Sequence, residues 1–364
     1  MFPLCLLFEW PYNVAIMNLT FDRLTEAYET GRISRRRLLL SLPALMMAPR
    51  AFTQASKPSI RVRGINHVTL SVSDVKRSVD FYQGLFGMPV INRQGTTSAG
   101  LQIGAGPQHL GVSSAGSNPP IINHICLGVD NFNVDRISGI LAQHGITKSN
   151  DPGPMRMRVR VRGPEAGGAK EGTPEFYFGD PDGIQIQLQD SRYCGGAGAL
   201  GNICRAPEPS PKKGLLALRS WSHCTNSASD PARTNKLFQE LLGFRIQAYQ
   251  GPTAPIMGLG DGVQFIVSGG GGAAGRINHL CMSMDNFNPD TVIKALESYG
   301  IKPRGTPQGT PGPLVHYITL RMENRGGAKE GTPELYFTDP DGLLIQLQDT
   351  KYCGGAGFLG NVCL

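Results

Sequence analysis

Residues 167–204 read GGAKEGTPEFYFGDPDGIQIQLQDSRYCGGAGALGNIC, and residues 326–363 read GGAKEGTPELYFTDPDGLLIQLQDTKYCGGAGFLGNVC. Thirty of these 38 positions are identical, so the chain contains an internal duplication. In both stretches a DPDG turn joins two alternating runs that are typical of paired strands. Within the turn, Pro fixes φ and Gly accepts a positive φ.

The duplication sets the expected domain boundaries. We expect one domain over residues 56–204 and a second over residues 215–364. The segment between them, residues 205–214, is rich in proline and charge, as linkers between domains are. Residues 1–55 are excluded from the fold because they have the composition of an export leader.

Each copy divides once more. Four histidines stand near the start of apolar, strand-like runs, namely His67, His124, His223 and His279. After Asp74 and Asp230, apolar residues recur at helical spacing until Gly87 and Gly243, which are the expected helix C-caps. The order in each quarter is strand, helix, then two or three strands. The sequence therefore predicts an α+β fold of four βαβββ modules.

The N-terminal leader predicts export. Ser34-Arg35-Arg36-Arg37-Leu38-Leu39 is a twin-arginine pattern, followed by an apolar stretch and a small-residue site near Ala55. The apolar stretch is too short for a stable membrane span, so we expect a periplasmic or secreted protein. The alternative to a cleaved signal is an uncleaved N-terminal membrane anchor. Translation starts at either Met1 or Met17. Twin-arginine export carries folded proteins, which agrees with a cofactor loaded beforehand.

Charge and cysteine content narrow the class of protein. The formal net charge is +7, part of it in the leader, and no basic run with interleaved aromatic residues points to nucleic acid. In an oxidising compartment, disulfides are expected within two recurring pairs, Cys194 with Cys204 and Cys353 with Cys363, although exchange between copies stays open. Cys126, Cys224 and Cys281 are expected to be buried thiols.

The duplicated strand–DPDG–strand stretches lie downstream of two His-bearing strands in each copy, and this combination resembles the vicinal oxygen chelate superfamily of glyoxalases, bleomycin resistance proteins and extradiol dioxygenases. The resemblance covers roughly residues 62–350. It implies that paired modules form two cup-like open barrels. It also implies metal ligands from the first strand of each module and from the last strand of a module.

Carried over residue by residue, the implied ligands are His67, His124 and Gln187 in copy one and His223, His279 and Gln346 in copy two. Two histidines and one oxygen donor with open positions suit a divalent metal. Fe(II) is the expected metal, with Mn(II), Zn(II) or Ni(II) as alternatives. In modules one and three, Leu110 and Ile266 stand at the last-strand place. The alternative reading of each histidine is a lone strand residue bonded to a neighbour.

Two departures separate this chain from extradiol enzymes. Those enzymes have Glu where Gln187 and Gln346 stand, so the neutral amide leaves the metal with a net charge of +2 and favours an anionic chelating substrate. Where they have a His before the strand tyrosine, this chain has Lys170 and Lys329. We therefore expect catalytic roles for Tyr177, Tyr336, Lys170 and Lys329, with solvated loop lysines as the alternative.

One strand of copy one has an arginine at every second position, so these side chains share a face: Arg156, Arg158, Arg160 and Arg162. Copy two has Val315, Tyr317, Thr319 and Arg321 there. An anion-binding face and a solvated edge both stay open. His109, His144 and His316 have no partners across the repeat, so we expect that they are not ligands.

Three functions are compatible with the sequence. The first is a metal-dependent, dioxygenase-like enzyme that cleaves a small phenolic or enolic substrate. The second is a non-redox isomerase or lyase of the glyoxalase type, and the third is a non-catalytic protein that binds a small molecule or a metal. The sequence favours an enzyme, but it defines neither the substrate nor the oligomeric state, nor whether both copies are active.

Overall fold

The computed structural model describes residues 28–31, 34–35, 59–269 and 273–364. The chain divides into two compact units, residues 1–57 and residues 58–364. Only six residues of the first unit are described, so most of the predicted export leader lies outside the described residues. The duplicated fold and both candidate sites belong to the second unit.

Copy one consists of nine strands and two helices. Its strands are β1 (Val62–Val72), β2 (Val90–Arg93), β3 (Ser98–Gln102), β4 (His109–Ser114), β5 (Ile121–Val129), β6 (Thr147–Lys148), β7 (Arg156–Arg162), β8 (Thr173–Gly179) and β9 (Gln185–Asp190). Its helices are α1 (Val75–Phe86) and α2 (Val134–Gln143).

Copy two repeats this order within its described residues. Its strands are β10 (Ser220–Ser227), β11 (Arg245–Tyr249), β12 (Pro255–Gly258), β13 (Phe265–Gly269), β14 (Arg276–Met284), β15 (Lys302–Pro303), β16 (Val315–Arg321), β17 (Thr332–Thr338) and β18 (Leu344–Asp349). Its helices are α3 (Pro231–Leu242) and α4 (Pro289–Ser298).

Each copy forms a single nine-stranded mixed sheet in which its two modules lie side by side. The order is β2-β3-β4-β1-β5-β9-β8-β7-β6 in copy one, and copy two has the equivalent order. The first strands of the two modules, β1 and β5, pair antiparallel at the centre of the sheet. The predicted α+β fold of paired modules is confirmed. One detail differs, because two-residue strands, β6 and β15, add a fourth strand after the helix in modules two and four.

The helices that follow β1 and β10 begin and end where their sequence signals predict. Asp74 and Asp230 cap α1 and α3 by accepting hydrogen bonds from the backbone N–H groups of Arg77 and Arg233. Gly87 and Gly243 end these helices with φ values of 67° and 68°, a left-handed conformation that strongly favours glycine.

The two copies share one hydrophobic core. Helix α1 of copy one packs on β17 of copy two, where the rings of Phe81 and Phe86 lie 6.5 and 6.1 Å from the ring of Phe337. The Tyr82 hydroxyl donates a hydrogen bond to the carboxylate of Asp339 in the second DPDG turn (3.1 Å). The copies are therefore packed together as one body rather than joined only by the linker.

The last aspartate of each DPDG turn also reaches into the other copy. The backbone N–H of Ser73 donates to Asp341 (3.1 Å), and the backbone N–H of Ser229 donates to Asp182 (2.9 Å). Both serines directly precede the N-cap of a helix. The repeated DPDG sequence therefore turns the chain within one copy and holds a helix start of the other copy.

The cysteines lie as the sequence predicts. Disulfides join Cys194 to Cys204 and Cys353 to Cys363. The remaining cysteines in the described residues, Cys126, Cys224 and Cys281, are buried free thiols. Over the part of the chain that the structure describes, no helix combines the length and apolar character that a membrane crossing requires.

We predict that the Asp180→Asn variant gains stability relative to wild type when the pH is raised from 4.5 to 8. The quantity compared is the free energy of unfolding of the variant minus that of wild type. Asp180 is fully buried; its Oδ1 accepts two backbone hydrogen bonds, whereas its Oδ2 has no partner. Burial raises the pKa of this carboxyl from 3.8 to about 6. The wild-type fold is therefore stabilised while Asp180 is protonated and loses that stability as pH rises through 6.

The asparagine has no charge to bury, so the difference in free energy of unfolding should shift by about 2 kcal/mol in favour of the variant between pH 4.5 and 8. Chemical denaturation of both proteins at the two pH values measures this shift. A difference that stays constant with pH would contradict the assignment.

Candidate functional site

The strand register of copy one brings the three predicted ligands together. His67 of β1 lies opposite Cys126 of β5, and Cys126 lies beside Gln187 of β9. His124 is two residues before Cys126 on the same strand. Because laterally paired residues, and residues two apart on a strand, share a face of the sheet, all three predicted ligands project from one face.

Their polar atoms converge closely. The Nε2 atom of His67 lies 3.1 Å from Oε1 of Gln187 and 3.3 Å from Nε2 of His124. All three side chains are more than 90% buried. Two ligands that bind one metal at about 2.1 Å and at right angles to each other lie about 3.0 Å apart. The separations therefore fit donors arranged around a single cation.

The neighbouring asparagines fix which ring nitrogens carry hydrogen. Nδ1 of His67 lies 2.9 Å from Oδ1 of Asn66, and the amide nitrogen of Asn66 donates to the Tyr193 carbonyl. The Asn66 oxygen must therefore accept, so Nδ1 of His67 carries the proton. Nδ1 of His124 lies 2.8 Å from Oδ1 of Asn123 in the same arrangement. Such partners orient metal-binding histidines in known sites.

It follows that the Nε2 atoms of His67 and His124 are both lone-pair acceptors when the rings are neutral. The third atom of the cluster, Oε1 of Gln187, is also an acceptor. Nε2 of His67 thus lies within 3.3 Å of two other acceptors with no hydrogen between them, and the repulsion among these atoms is relieved by a cation bound between them. This donor set fits a divalent metal.

Burial keeps these rings neutral. Burial is the main cause that lowers the pKa of His67 well below 6.5, and the nearby rings of His109 and His124 lower it further. The pKa of His124 falls to about 4, again mainly through burial. Near pH 7 both rings are therefore free to act as ligands.

Copy two contains the same three residue types in the same places. The rings of His223 and His279 lie 5.5 Å apart at 82°, compared with 5.4 Å and 80° for His67 and His124. Gln346 lies close enough to both histidines to influence their pKa values. One difference is that Nδ1 of His223 faces the Ser222 hydroxyl instead of an asparagine oxygen.

The glutamine register corrects one detail of the sequence comparison. Gln187 pairs with Cys126, which lies two positions after His124. The equivalent residue two positions after His67 is Thr69, and it pairs with Gly111. In copy two the matching residue is Val267. Gly111 and Val267, rather than Leu110 and Ile266, thus stand at the last-strand place of modules one and three. None of these residues has a side chain that binds metal.

The site of copy one includes a third histidine that sequence reasoning set aside. His109 is buried, and its ring stacks on that of His67 at 4.5 Å and 21°. Its Nδ1 faces the Pro107 carbonyl (3.0 Å), so Nδ1 carries the proton and Nε2 is an acceptor. Burial lowers its pKa to about 4. Copy two has Phe265 at this position, stacked on His223 at 4.3 Å.

A buried carboxylate, also missed from the sequence, anchors the adjoining strands. Glu175 accepts hydrogen bonds from the guanidinium groups of Arg160 (2.8 Å) and Arg162 (2.9 Å) and from the hydroxyls of Tyr193 (2.8 Å) and Tyr177 (3.3 Å). Four donors satisfy a charge that would otherwise be costly to bury. Local sequence could not reveal it, because the donors come from β7, β8 and the loop after β9.

The arginines of β7 have three different environments. Arg162 is fully buried in its ion pair with Glu175, whereas Arg156 is exposed. Arg158 and Arg160 line a cavity of about 600 Å³ together with His67, His109, His124, Tyr177 and Gln187. Arg162 also lines this cavity, but its charge is paired with Glu175. The anion-binding alternative therefore describes Arg158 and Arg160, and the solvated alternative describes Arg156.

The predicted catalytic residues divide into two groups. Tyr177 lies in the cavity of copy one, with its ring 5.4 Å from that of His124, and Tyr336 lies 5.3 Å from His279 in copy two. Burial raises the pKa of both tyrosines, so both stay protonated at neutral pH. Lys170 and Lys329 are exposed on turns, and neither is among the residues lining the cavities described here.

The other histidines lie elsewhere. His144 is the C-cap of α2, and His316 of β16 faces Glu297 at 3.4 Å. Within the described ranges, no group of three or more His, Cys, Asp or Glu side chains is arranged to hold a metal ion. The converging set in each copy instead combines two histidines with one glutamine.

Comparison with solved structures identifies similar folds. A catechol 2,3-dioxygenase is 16% identical, with a TM-score of 0.53 over 82% of this chain and 88% of its own. The 2,3-dioxygenase LapB from Pseudomonas sp. KL28 is 16% identical, with a TM-score of 0.55 over 79% and 92%. A Mn(II)-bound glyoxalase from Novosphingobium aromaticivorans is 18% identical, with a TM-score of 0.52 over 79% and 82%.

At these identities the likeness concerns the fold. No curated protein matches the chain by sequence. A family model matches residues 64–188, which run from β1 to β9. Copy one thus matches the Glyoxalase/Bleomycin resistance protein/Dioxygenase superfamily in sequence, and the duplicated unit has the glyoxalase/dioxygenase fold.

Proposed function

We propose that this protein is a metal-dependent enzyme that acts in copy one on a small molecule with two neighbouring oxygen atoms. The observation that carries the proposal is the convergence of three acceptor atoms, in which Nε2 of His67 lies within 3.3 Å of both Nε2 of His124 and Oε1 of Gln187. The fold that the chain shares with dioxygenases and a Mn(II)-bound glyoxalase supports it.

The proposed metal is Fe(II), with Mn(II), Zn(II) or Ni(II) as alternatives that the same donor set accepts. Once bound, a divalent ion of this kind polarises a chelating substrate through its open positions. Two imidazoles and an amide are all neutral, so the protein leaves the full charge of +2 for the substrate. This favours a substrate that becomes an anion on binding, such as a catecholate or an enolate.

The surrounding side chains suit the removal of a proton from such a substrate. His109 is neutral, lines the cavity, and has its proton on Nδ1, which leaves Nε2 to accept a substrate proton. Tyr177 stays protonated, and its hydroxyl, which donates a long hydrogen bond to Glu175 (3.3 Å), would have to exchange that partner to donate to a substrate oxygen. Arg158 and Arg160 also line the cavity and supply positive charge there.

We propose dioxygenase-like cleavage of a phenolic or enolic ring as the reaction. Copy one is favoured over copy two because His109, Arg158 and Arg160 line its cavity, whereas Phe265, Tyr317 and Thr319 stand in copy two. Lys170 and Lys329 have no role in this proposal, because both are exposed on turns.

The metal content of the purified protein tests the ligand set. We predict that His67→Ala with His124→Ala removes the metal of copy one, and that His223→Ala with His279→Ala removes that of copy two. Gln187→Glu should retain metal at least about tenfold more tightly than wild type, because a carboxylate adds a negative charge at the cation. Gln346→Glu should do the same only for copy two.

Elemental analysis and competition with a chelator measure these changes. Metal retained after all four histidines are replaced would remove them as ligands. Unchanged or weaker retention in Gln187→Glu would place Gln187 outside the metal's contacts.

Oxygen consumption with a panel of catechols tests the reaction. We expect uptake by the iron-loaded wild type and a loss of about a hundredfold or more in kcat for His109→Phe, which removes the proton acceptor. Phe265→His, the reverse change in copy two, should leave the rate of copy one unchanged. Proton exchange without oxygen uptake would favour an isomerase or lyase, and tight binding without a product would favour a binding protein.

We further propose that the protein is exported to the periplasm or secreted. The twin-arginine pattern at Arg35, Arg36 and Arg37 and the disulfide in each copy support this location. Replacing all three arginines with lysine, which conserves charge, should leave the protein in the cytoplasmic fraction, whereas Arg50→Lys should not. Unchanged export of the triple variant would contradict the proposal.

A further inference from the structure

A second cavity, of about 990 Å³, lies between the two copies of the repeat. Copy one contributes the start of β5 and the end of its DPDG turn, and copy two contributes the equivalent segments. The cavity thus follows the internal symmetry of the chain, and we call it the inter-copy cleft. Its walls include Ile121, which is 49% exposed, together with Ile184 and Leu344.

The inter-copy cleft adjoins the candidate site of copy one. Asn123, Arg158 and Gln185 line both cavities, so they form the boundary between them. Nη2 of Arg158 donates to Oε1 of Gln185 (2.9 Å), whereas its buried Nε has no partner. A guanidinium with a free donor thus lies where the cavities meet, and it can bind a ligand group that reaches it from the metal side.

Three arginine side chains bring positive charge to the inter-copy cleft. Arg276 and Arg304 line it together with Arg158. Arg276 is exposed, and its side chain makes no hydrogen bond or ion pair with the residues that the structure describes. The cleft also holds Asp182 and Asp341, but these carboxylates accept hydrogen bonds from Ser229 and from Ser73 with Arg77.

Copy two retains only the asparagine of this boundary, as Asn278. Tyr317 stands where copy one has Arg158, and its ring stacks on that of Tyr336 at 5.1 Å and 16°. Leu344 stands where copy one has Gln185. Arg304 covers the other side of the Tyr317 ring at 5.1 Å. An aromatic and an aliphatic side chain thus replace the arginine and the glutamine of the boundary in copy two.

We propose that the inter-copy cleft is an anion-binding subsite of the copy-one site. The substrate is an elongated acid whose two neighbouring oxygens lie at the metal ligands, while its terminal carboxylate reaches Arg158 and, in longer molecules, Arg276. The apolar walls accept the linking carbon chain. This substrate class rests on the proposed function of copy one, but the subsite itself is defined by the arginines.

Paired ligands test the subsite directly. The probes are a catechol with a propanoate side chain, a longer homologue with a pentanoate side chain, and the amide of each. Calorimetric titration of the metal-loaded protein without oxygen measures binding alone. We expect each acid to bind about tenfold more tightly than its amide, because a guanidinium–carboxylate contact is lost in the amide.

Three variants locate the preference. Arg158→Tyr, which introduces the copy-two residue, should reduce the acid-to-amide ratio to near one for both lengths. Arg276→Gln should reduce it only for the longer pair. Arg192→Gln, which removes an exposed arginine outside both cavities, should leave both ratios unchanged and controls for net charge.

The results separate this proposal from the enzyme proposal. Equal binding of acid and amide to wild type, or an equal effect of Arg192→Gln and Arg276→Gln, would overturn the subsite even if oxygen is consumed with simple catechols. A preference for the acids that persists in the His67→Ala, His124→Ala protein would uphold the subsite even if no catechol is cleaved.

Discussion

The candidate site depends on one electrostatic constraint, the close approach of three lone-pair acceptors with no proton between them. Asn66 and Asn123 hold the histidine protons on the outer ring nitrogens, and burial opposes a second proton on either ring. A cluster arranged in this way is unfavourable alone and favourable around a cation. The strand register, the asparagine partners and the burial of the rings together produce this arrangement.

The duplication supplies the framework that holds these atoms in place. Central strands β1 and β5 position two ligands, and β9 positions the third, so every ligand lies on a strand inside the sheet. Each DPDG turn leads into the ligand-bearing last strand and also holds a helix start of the other copy. Each site is therefore connected through its DPDG turn to the interface between the copies, although the side chains around the two sites differ.

The copies differ in side chains that lie next to the candidate ligands. The ligand residues are the same in both copies, and so is the buried pairing of Arg162 with Glu175 and of Arg321 with Glu334. The cavity side chains differ, with His109 and Arg158 in copy one and Phe265 and Tyr317 in copy two. A retained frame with altered cavity residues is what specialisation of one copy for catalysis would produce.

Much of this was accessible from sequence because it is local or repeated. The helix caps at Asp74 and Gly87 follow from short-range rules, and the duplication identified the paired modules and the disulfide pairs. His109 and Glu175 were missed because their importance arises from contacts across strands far apart in the chain. Lys170 was placed near the chemistry by alignment with a motif, and its turn leaves it exposed.

The central claim is that a metal binds between these three acceptor atoms. Anomalous diffraction from crystals grown with Mn(II) tests it most directly. The account predicts a peak within about 2.3 Å of Nε2 of His67, Nε2 of His124 and Oε1 of Gln187 together. Saturating Mn(II) with no peak between those atoms, or a peak bound by other side chains, would contradict it.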